Sequence, residues 1–311
     1  LKTRRPGLER RPTERLHPLA ERIERLSTQT FLRAMHAEDL HAVRAVGRAL
    51  PDLEKAAEAA TASLRAGGRL IYVGAGTSGR LAALDAAECP PTFGVSPSRV
   101  VALIAGGRRA LDRAVEGAED DAAAGARALV RLRPTPRDTV IGLTASGDTP
   151  FVAGALVAAR RARTATVLIC GAVPPSSRLL AGVVVRLDTG PELVQGSTRL
   201  KAGTAAKLAL NMISTRAMAA SGKVLRGRMV ELRPTSEKLR QRSTRIVMEL
   251  GDLSHSRAEA LVSRGGSVKT ALAMAALGVD RRQALAALKA AGGDLGLILK
   301  GGKFRRAPKR R

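Results

Sequence analysis

The run Arg69-Leu70-Ile71-Tyr72-Val73-Gly74-Ala75-Gly76-Thr77-Ser78-Gly79 constrains this chain more than any other. An apolar strand pattern enters a glycine turn carrying two hydroxyls, and a helical pattern, Arg80-Leu81-Ala82-Ala83-Leu84, begins at once. Glycines let backbone N–H groups approach a ligand closely. The helix N-terminus adds partial positive charge, and Thr77 and Ser78 add neutral donors. Gly76, Thr77, Ser78 and Gly79 therefore form a candidate phosphate cradle; a plain turn between a buried strand and a helix is the simpler reading. No Gly-Lys-Ser/Thr follows, so this is not a Walker loop. No acidic strand end follows about 20 residues on, which argues against a dinucleotide fingerprint.

Around this run the pattern alternates. Apolar runs at 69–73, 99–104, 138–143, 164–169 and 182–187 read as strands, mostly continuous, as parallel strands covered on both faces require. Helical patterns lie between them at 79–87, 109–116, 119–131 and 150–161. Two more precede them, at 28–49 and 51–66, and others follow at 198–221 and 235–250. The expected fold class is α/β: a doubly wound parallel sheet with N-terminal helices and a small C-terminal helical bundle. The expected organisation is a basic arm at 1–26, the α/β domain at 27–250, a small helical, UBA-like domain at 251–299 and a basic tail at 300–311.

The net charge is +26, most of the 53 basic residues being arginine. Such a charge suits nucleic acid or an acidic surface. A single Asn, Asn211, and abundant Ala point instead to a compositional bias that scatters Arg over solvated faces. With no Trp and one Tyr, an aromatic platform for bases is lacking. No specific nucleic-acid binding is expected, only salt-sensitive contact. Cys89 and Cys170 stand far apart without metal spacing, which suits a reducing compartment. The four histidines show no metal or triad spacing. No apolar run approaches a membrane span and no signal-peptide core is seen, so no membrane association and a cytoplasmic location are expected.

A second hydroxyl loop, Thr144-Ala145-Ser146-Gly147-Asp148-Thr149-Pro150, follows the strand at 138–143. One hydroxyl is enough to cap the helix behind it. Three hydroxyls, Thr144, Ser146 and Thr149, around Gly147 favour a second half of a phosphosugar site. A third cluster, Glu192 with Ser197, Thr198, Arg199 and Lys201, could present hydroxyls and a cation to the substrate, or could simply cap a helix.

The pairing of GAGTSGR with TASGDTP resembles the sugar isomerase (SIS) domain family. Longer strings resemble the N-acetylmuramic acid 6-phosphate etherases within it: GGRLIYVGAGTSGRLAALDAAECPPTFGV at 67–95, LIAGG at 103–107, AVEGAEDD at 114–121 and GSTRLKAGTAAKLALNMIST at 196–215. The glucokinase regulatory protein is a relative that shares fold and phosphosugar binding. The resemblance implies cleavage of the D-lactyl ether at C3 of N-acetylmuramic acid 6-phosphate, giving N-acetylglucosamine 6-phosphate and D-lactate. In the open-chain sugar the C1 aldehyde acidifies the C2 proton. Its removal lets lactate leave, and water adds to the unsaturated aldehyde. Proton-transfer groups are needed, and no metal or organic cofactor is expected.

The resemblance carries the catalytic glutamates onto Glu88 and Glu119. The residues add their own reading. Glu88 is expected to close the helix that Pro90-Pro91 stop, where the dipole favours a protonated carboxyl. Glu119 is expected to open a helix with Asp120 and Asp121; on the residues alone, such acids read as dipole complements. The chain departs from the family where Asp148 stands for a usual Arg, where Gly171-Ala172 follow Cys170 in place of Asn-Pro, and in its Arg-rich arm. Asp148 places a negative charge on a loop facing an anionic substrate and is expected to lower affinity for it. The resemblance also implies a homodimer. The competing reading is a non-catalytic phosphosugar sensor that regulates a partner.

Overall fold

The computed structural model describes residues 14–173, 177–232 and 236–301. These divide into two compact units: residues up to Ala87 with Pro97–Ala217, and Glu88–Ser96 with Met218 onward. The second unit thus starts ahead of position 251, taking in the helix and hairpin before it.

The first unit is built on five parallel strands, β1 (Leu70–Gly74), β2 (Val100–Ile104), β3 (Thr139–Thr144), β4 (Ala165–Cys170) and β5 (Val183–Arg186), ordered β2-β1-β3-β4-β5. Each coincides with an apolar run of the sequence. Helices α1 (Thr28–Arg48) and α2 (Leu50–Arg65) precede the sheet; α3 (Gly76–Phe93), α4 (Ala122–Arg131), α5 (Pro150–Arg161), the short α6 (Ser177–Leu180) and α7 (Lys201–Met218) follow. Gly74 pairs with Ile104 on one side and Leu143 on the other, so the loops after β1 and β3 leave the sheet side by side.

Strand alternation assigns the two faces. Ile71, Val73, Val140 and Leu168 pack with Leu129 of α4 and with Phe151, Val152 and Leu156 of α5. Here α4 and α5 cross almost backbone to backbone: a Cβ at Gly125 would lie 1.9 Å from Phe151 O, and one at Gly154 1.9 Å from Ala122 O. On the opposite face the Tyr72 hydroxyl donates to Asp85 Oδ2 at 2.9 Å. Asp85 Oδ1 accepts from Asn211 Nδ2 at 2.7 Å and Ser214 Oγ at 3.1 Å. This buried knot ties β1, α3 and α7 together through the chain's one tyrosine and one asparagine.

Two expected helices are corrected. No α-helix spans 109–116; Gly107–Leu111 forms a 3₁₀ turn, and residues 111–117 are exposed on every side. Without an apolar face to bury, a helix there would gain little from packing. Nor do Pro90 and Pro91 end α3, which runs on to Phe93. They remove N–H donors but fill helical φ, and the end comes at Gly94 (φ 63°), whose N–H returns to Pro90 O at 2.9 Å.

The second unit holds the hairpin β6 (Val224–Leu225) and β7 (Arg228–Met229), then α8 (Glu237–Gly251), α9 (His255–Gly265), α10 (Val268–Leu277), α11 (Arg281–Ala290) and α12 (Leu295–Gly301). Val247, Leu250, Val262, Leu272, Met274 and Leu288 form its core. Within it the Glu231 carboxylate accepts from Lys223 Nζ at 2.9 Å and Lys269 Nζ at 2.7 Å. Of the basic arm, residues 14–26 are described: Ala20–Arg25 form a 3₁₀ turn, and Glu14 O accepts from Gln195 Nε2 at 2.7 Å. The rest of the arm lies outside the described residues, and so does the tail from 302 on, whose run of basic residues without an acid predicts disorder. Among the described residues no helix is long and apolar enough to cross a membrane.

The far edge of the sheet is stitched by Asp138, whose side chain is 2% exposed. It accepts from Arg69 N at 2.8 Å, Arg69 Nη2 at 2.7 Å and Thr135 N at 2.8 Å. Burial alone would raise its pKa; the bonds from Arg69 and Thr135 outweigh that and hold it below the ordinary carboxylate value. A depressed carboxylate stabilises the fold above its unfolded pKa of about 4 and loses that contribution as pH falls through the folded value. We therefore predict that Asp138→Asn, which leaves the Arg69 guanidinium only the carbonyls of Leu132 and Arg133, costs up to about 3 kcal/mol at neutral pH. Urea titrations of both proteins from pH 7 down to pH 2.5 should show the difference shrinking only below about pH 4; a difference that does not change with pH would remove the ion pair as its source.

Candidate active site

The candidate site lies at the carboxyl edge of the sheet, where β1 is flanked by β2 and β3 and open α/β sheets leave a crevice. Gly76, at φ 49°, opens α3. Thr77, Ser78 and Gly79 make its first turn. A Cβ at Gly74 would lie 2.7 Å from Gly79 N, so the strand end and the helix start touch without side chains between them. The arrangement leaves the first amides of α3 turned outward with two hydroxyls beside them.

After β3, Thr144 sits at the centre of a hydroxyl cluster. Its Oγ1 lies 2.7 Å from Thr149 Oγ1 and 3.3 Å from Ser146 Oγ, and accepts from Gly147 N at 3.1 Å. Thr149 occupies the N-cap position of α5, yet its side chain makes no capping bond. Capping thus does not account for these hydroxyls. Asp148 is exposed, and its N–H donates to Ser146 Oγ at 3.3 Å.

The third cluster separates. Thr198 joins the first two loops: with Ser78, Thr144, Cys170 and Ala202 it lines a cavity of about 20 Å³, room for roughly one water. A Cβ at Gly203 would lie 3.4 Å from Thr77 Cγ2, which shows how closely the first turns of α7 and α3 meet. Ser197 is half-buried in the turn before α7, its N–H bonded to Val194 O at 3.0 Å. Cys170 is packing, not a nucleophile; burial pushes its thiol up to about 12.

Glu192 and Lys201, by contrast, are engaged inside the protein. Glu192 is 1% exposed, and its carboxylate accepts from Lys201 N at 3.2 Å and Ala202 N at 2.9 Å, capping α7 from nine residues away. Burial pushes its pKa up despite those bonds. The Lys201 ammonium is buried against Glu38, which also meets His17 Nε2 and His41 Nδ1 at 3.3 Å each. His17 Nδ1 accepts from Leu19 N at 3.1 Å, which turns Nε2 toward Glu38. Burial alone would raise the Glu38 pKa; the bonds from Lys201 and His17 lower it below the ordinary value. Sequence reading could not see this pairing, because Glu38 stands 163 residues before Lys201.

Of the two glutamates, Glu119 lies in the 3₁₀ turn Ala118–Asp120, which packs against α5. It does not open α4: Asp121 is the N-cap, accepting from Ala124 N at 2.7 Å. The three acids differ, since only the one at the cap position can meet the free amides of the first turn. Glu88 lies inside α3, not at its end, and is exposed. Among the described residues neither Glu88 nor Glu119 enters an ion pair, and no cluster of three or more His, Cys, Asp or Glu side chains could hold a metal ion.

Because its ammonium is buried against Glu38, Lys201 should matter to stability before substrate. Lys201→Met should lower the melting temperature, by the equivalent of up to about 3–5 kcal/mol, with little change in KM. Normal melting with a raised KM would put the ammonium on the substrate.

Residues 52–160 match the family model described as the glucokinase regulatory protein N-terminal SIS domain. An N-acetylmuramic acid 6-phosphate etherase of Cutibacterium acnes is 49% identical over 282 residues, 90% of this chain and 93% of the relative. One of Deinococcus radiodurans is 48% identical over 293 residues, 93% of this chain and 95% of the relative. One of Serratia proteamaculans is 47% identical over 275 residues, 88% of this chain and 92% of the relative. With likeness of this degree along nearly its whole length, the chain belongs to the N-acetylmuramic acid 6-phosphate etherase family.

Proposed function

We propose that this protein is a lyase-type etherase that converts N-acetylmuramic acid 6-phosphate to N-acetylglucosamine 6-phosphate and D-lactate, serving cytoplasmic recycling of cell-wall amino sugars. The observation that carries the phosphosugar site is the convergence of Ser78, Thr144 and Thr198 on one cavity at the sheet's carboxyl edge. The names of the relatives supply the reaction. Two free, buried cysteines accord with a reducing compartment.

The 6-phosphate binds the first amides of α3 and the hydroxyls of Thr77 and Ser78. Gly76 and Gly79 keep that approach open. Ser146, Gly147 and Thr149 face the same ligand from the loop after β3, and Ser197 from the turn before α7. Glu192 and Lys201 hold that turn in place. Glu119 takes the C2 proton, and Glu88 protonates the departing lactate oxygen. Glu88, now a carboxylate, takes a proton from the water that adds at C3, and Glu119, after exchange with solvent, returns one to C2. Both carboxyls end as they began, so no cofactor enters the balance.

Either Gln substitution, Glu88→Gln or Glu119→Gln, keeps shape but removes proton exchange. Each should lower turnover by about 10²–10⁴ while phosphosugar binding survives. Reaction in deuterated water should place deuterium at C2 of the product. Near-normal lactate release by both variants, or an unlabelled C2, would sink the two-glutamate elimination. If the unmutated protein binds the phosphosugar and releases no lactate, the sensor reading replaces this one.

The protein is also proposed to work as a homodimer. Leu32, Leu40 and Val43 of α1, Leu50 of α2 and Met212 of α7 are each more than 40% exposed. A groove of about 720 Å³ lies between α2 and Met212 and Arg216 of α7. Exposed apolar side chains on neighbouring helices favour a second copy of the chain. Sedimentation velocity at micromolar concentration should show a dimer; a monomer alone would count against it.

A further inference from the structure

Arg80 follows directly on the phosphate cradle, in the first turns of α3. Its guanidinium does not turn to the cradle's face. It reaches across to the connection after β2, donating from Nε to Leu111 O at 3.1 Å and from Nη2 to Arg113 O at 3.1 Å. That connection leads to Glu119. From Leu111 to Gly117 every residue is exposed, so apolar burial does little to hold it. Its remaining anchors are local. The Ala118 N–H returns to Val115 O at 3.3 Å and the Asp120 N–H to Gly117 O at 3.2 Å. Val115 lies over Gly106, where an added Cβ would come within 2.8 Å of Val115 Cβ.

We propose that Arg80 is a positioning residue for Glu119: its fork fastens the exposed 111–117 connection to the helix that carries the phosphate cradle, so that the carboxylate is held in a fixed relation to the bound phosphate. The inference rests on the assignment of Glu119 made above and adds a residue that acts through it. The geometry suits arginine in particular. A planar guanidinium spans two carbonyls two residues apart, whereas an ammonium is a point donor on a flexible stem.

The test compares Arg80→Met and Arg80→Lys with the unmutated full chain, alone and combined with Glu119→Gln. A displacement of about 1 Å at a reacting group can lower the rate about 100-fold, so Arg80→Met should lower kcat about 10- to 100-fold with KM little changed. Arg80→Lys should fall between the two. Adding Arg80→Met to Glu119→Gln should lower kcat little further, because the group it positions no longer exchanges a proton. Hydrogen exchange of the amides of 111–118 should quicken in Arg80→Met while those of the strands do not.

A raised KM with kcat retained would make Arg80 a phosphate ligand and overturn the proposal. So would an equal loss of kcat in both backgrounds, or unchanged exchange at 111–118. If Arg80→Met fails to fold, Arg80→Lys carries the same cycle and the same exchange readout. Normal turnover of Glu119→Gln alone would instead strike out the glutamate assignment, a result read without any Arg80 variant.

Discussion

The pairing of β1 with β2 on one side and β3 on the other is the constraint on which the carboxyl edge depends. The connections after β1 and β3 pack on opposite faces of the sheet, as α3 and α5. Side chains cannot fill the gap between their starting points, because the helices diverge from it. Glycine and hydroxyl residues therefore occupy both strand ends. The close approach of Gly74 and Gly79 pulls the start of α3 onto the end of its strand. The Asp85 knot then fixes the helix from below, through Tyr72 on the strand and Asn211 and Ser214 on α7. A helix held at both points keeps its first amides and its hydroxyls in place without needing the ligand to order them.

What could be read in the sequence follows from whether the cause is local. The strands are continuous apolar runs because both faces are covered, and such runs announce themselves. The two hydroxyl loops are legible for the same reason: glycine and Ser/Thr at a strand end carry their meaning within a few residues. The end of α3 differs from the expected one because proline reads as a stop. Its two effects are separable, and near a helix end the fitting φ can win over the lost donors. The internal partners of Glu192 and Lys201 are hidden from the sequence for a different reason. A buried acid capping a helix nine residues on, and a lysine answering a glutamate of α1, are facts of tertiary placement. Two members of this polar cluster thus have their partners inside the protein.

The carboxylates of this chain fall into two kinds, and the distinction bears on the chemistry. Asp138, Glu38 and Glu231 are largely buried and meet cations, and each is held below its ordinary pKa because the donors outweigh burial. A carboxylate in that condition stays ionised through neutral pH and cannot cycle a proton at a useful rate. In a chain with 53 basic and 27 acidic residues, an acid would meet a guanidinium easily. Glu88 and Glu119 enter no ion pair among the described residues and remain exposed. Many surface acids share that condition, so it does not select these two. Arg80 illustrates a different use of a cation: it gives its donors to main-chain carbonyls of the connection that leads to Glu119, where it can order the segment without pairing with the acid the segment carries.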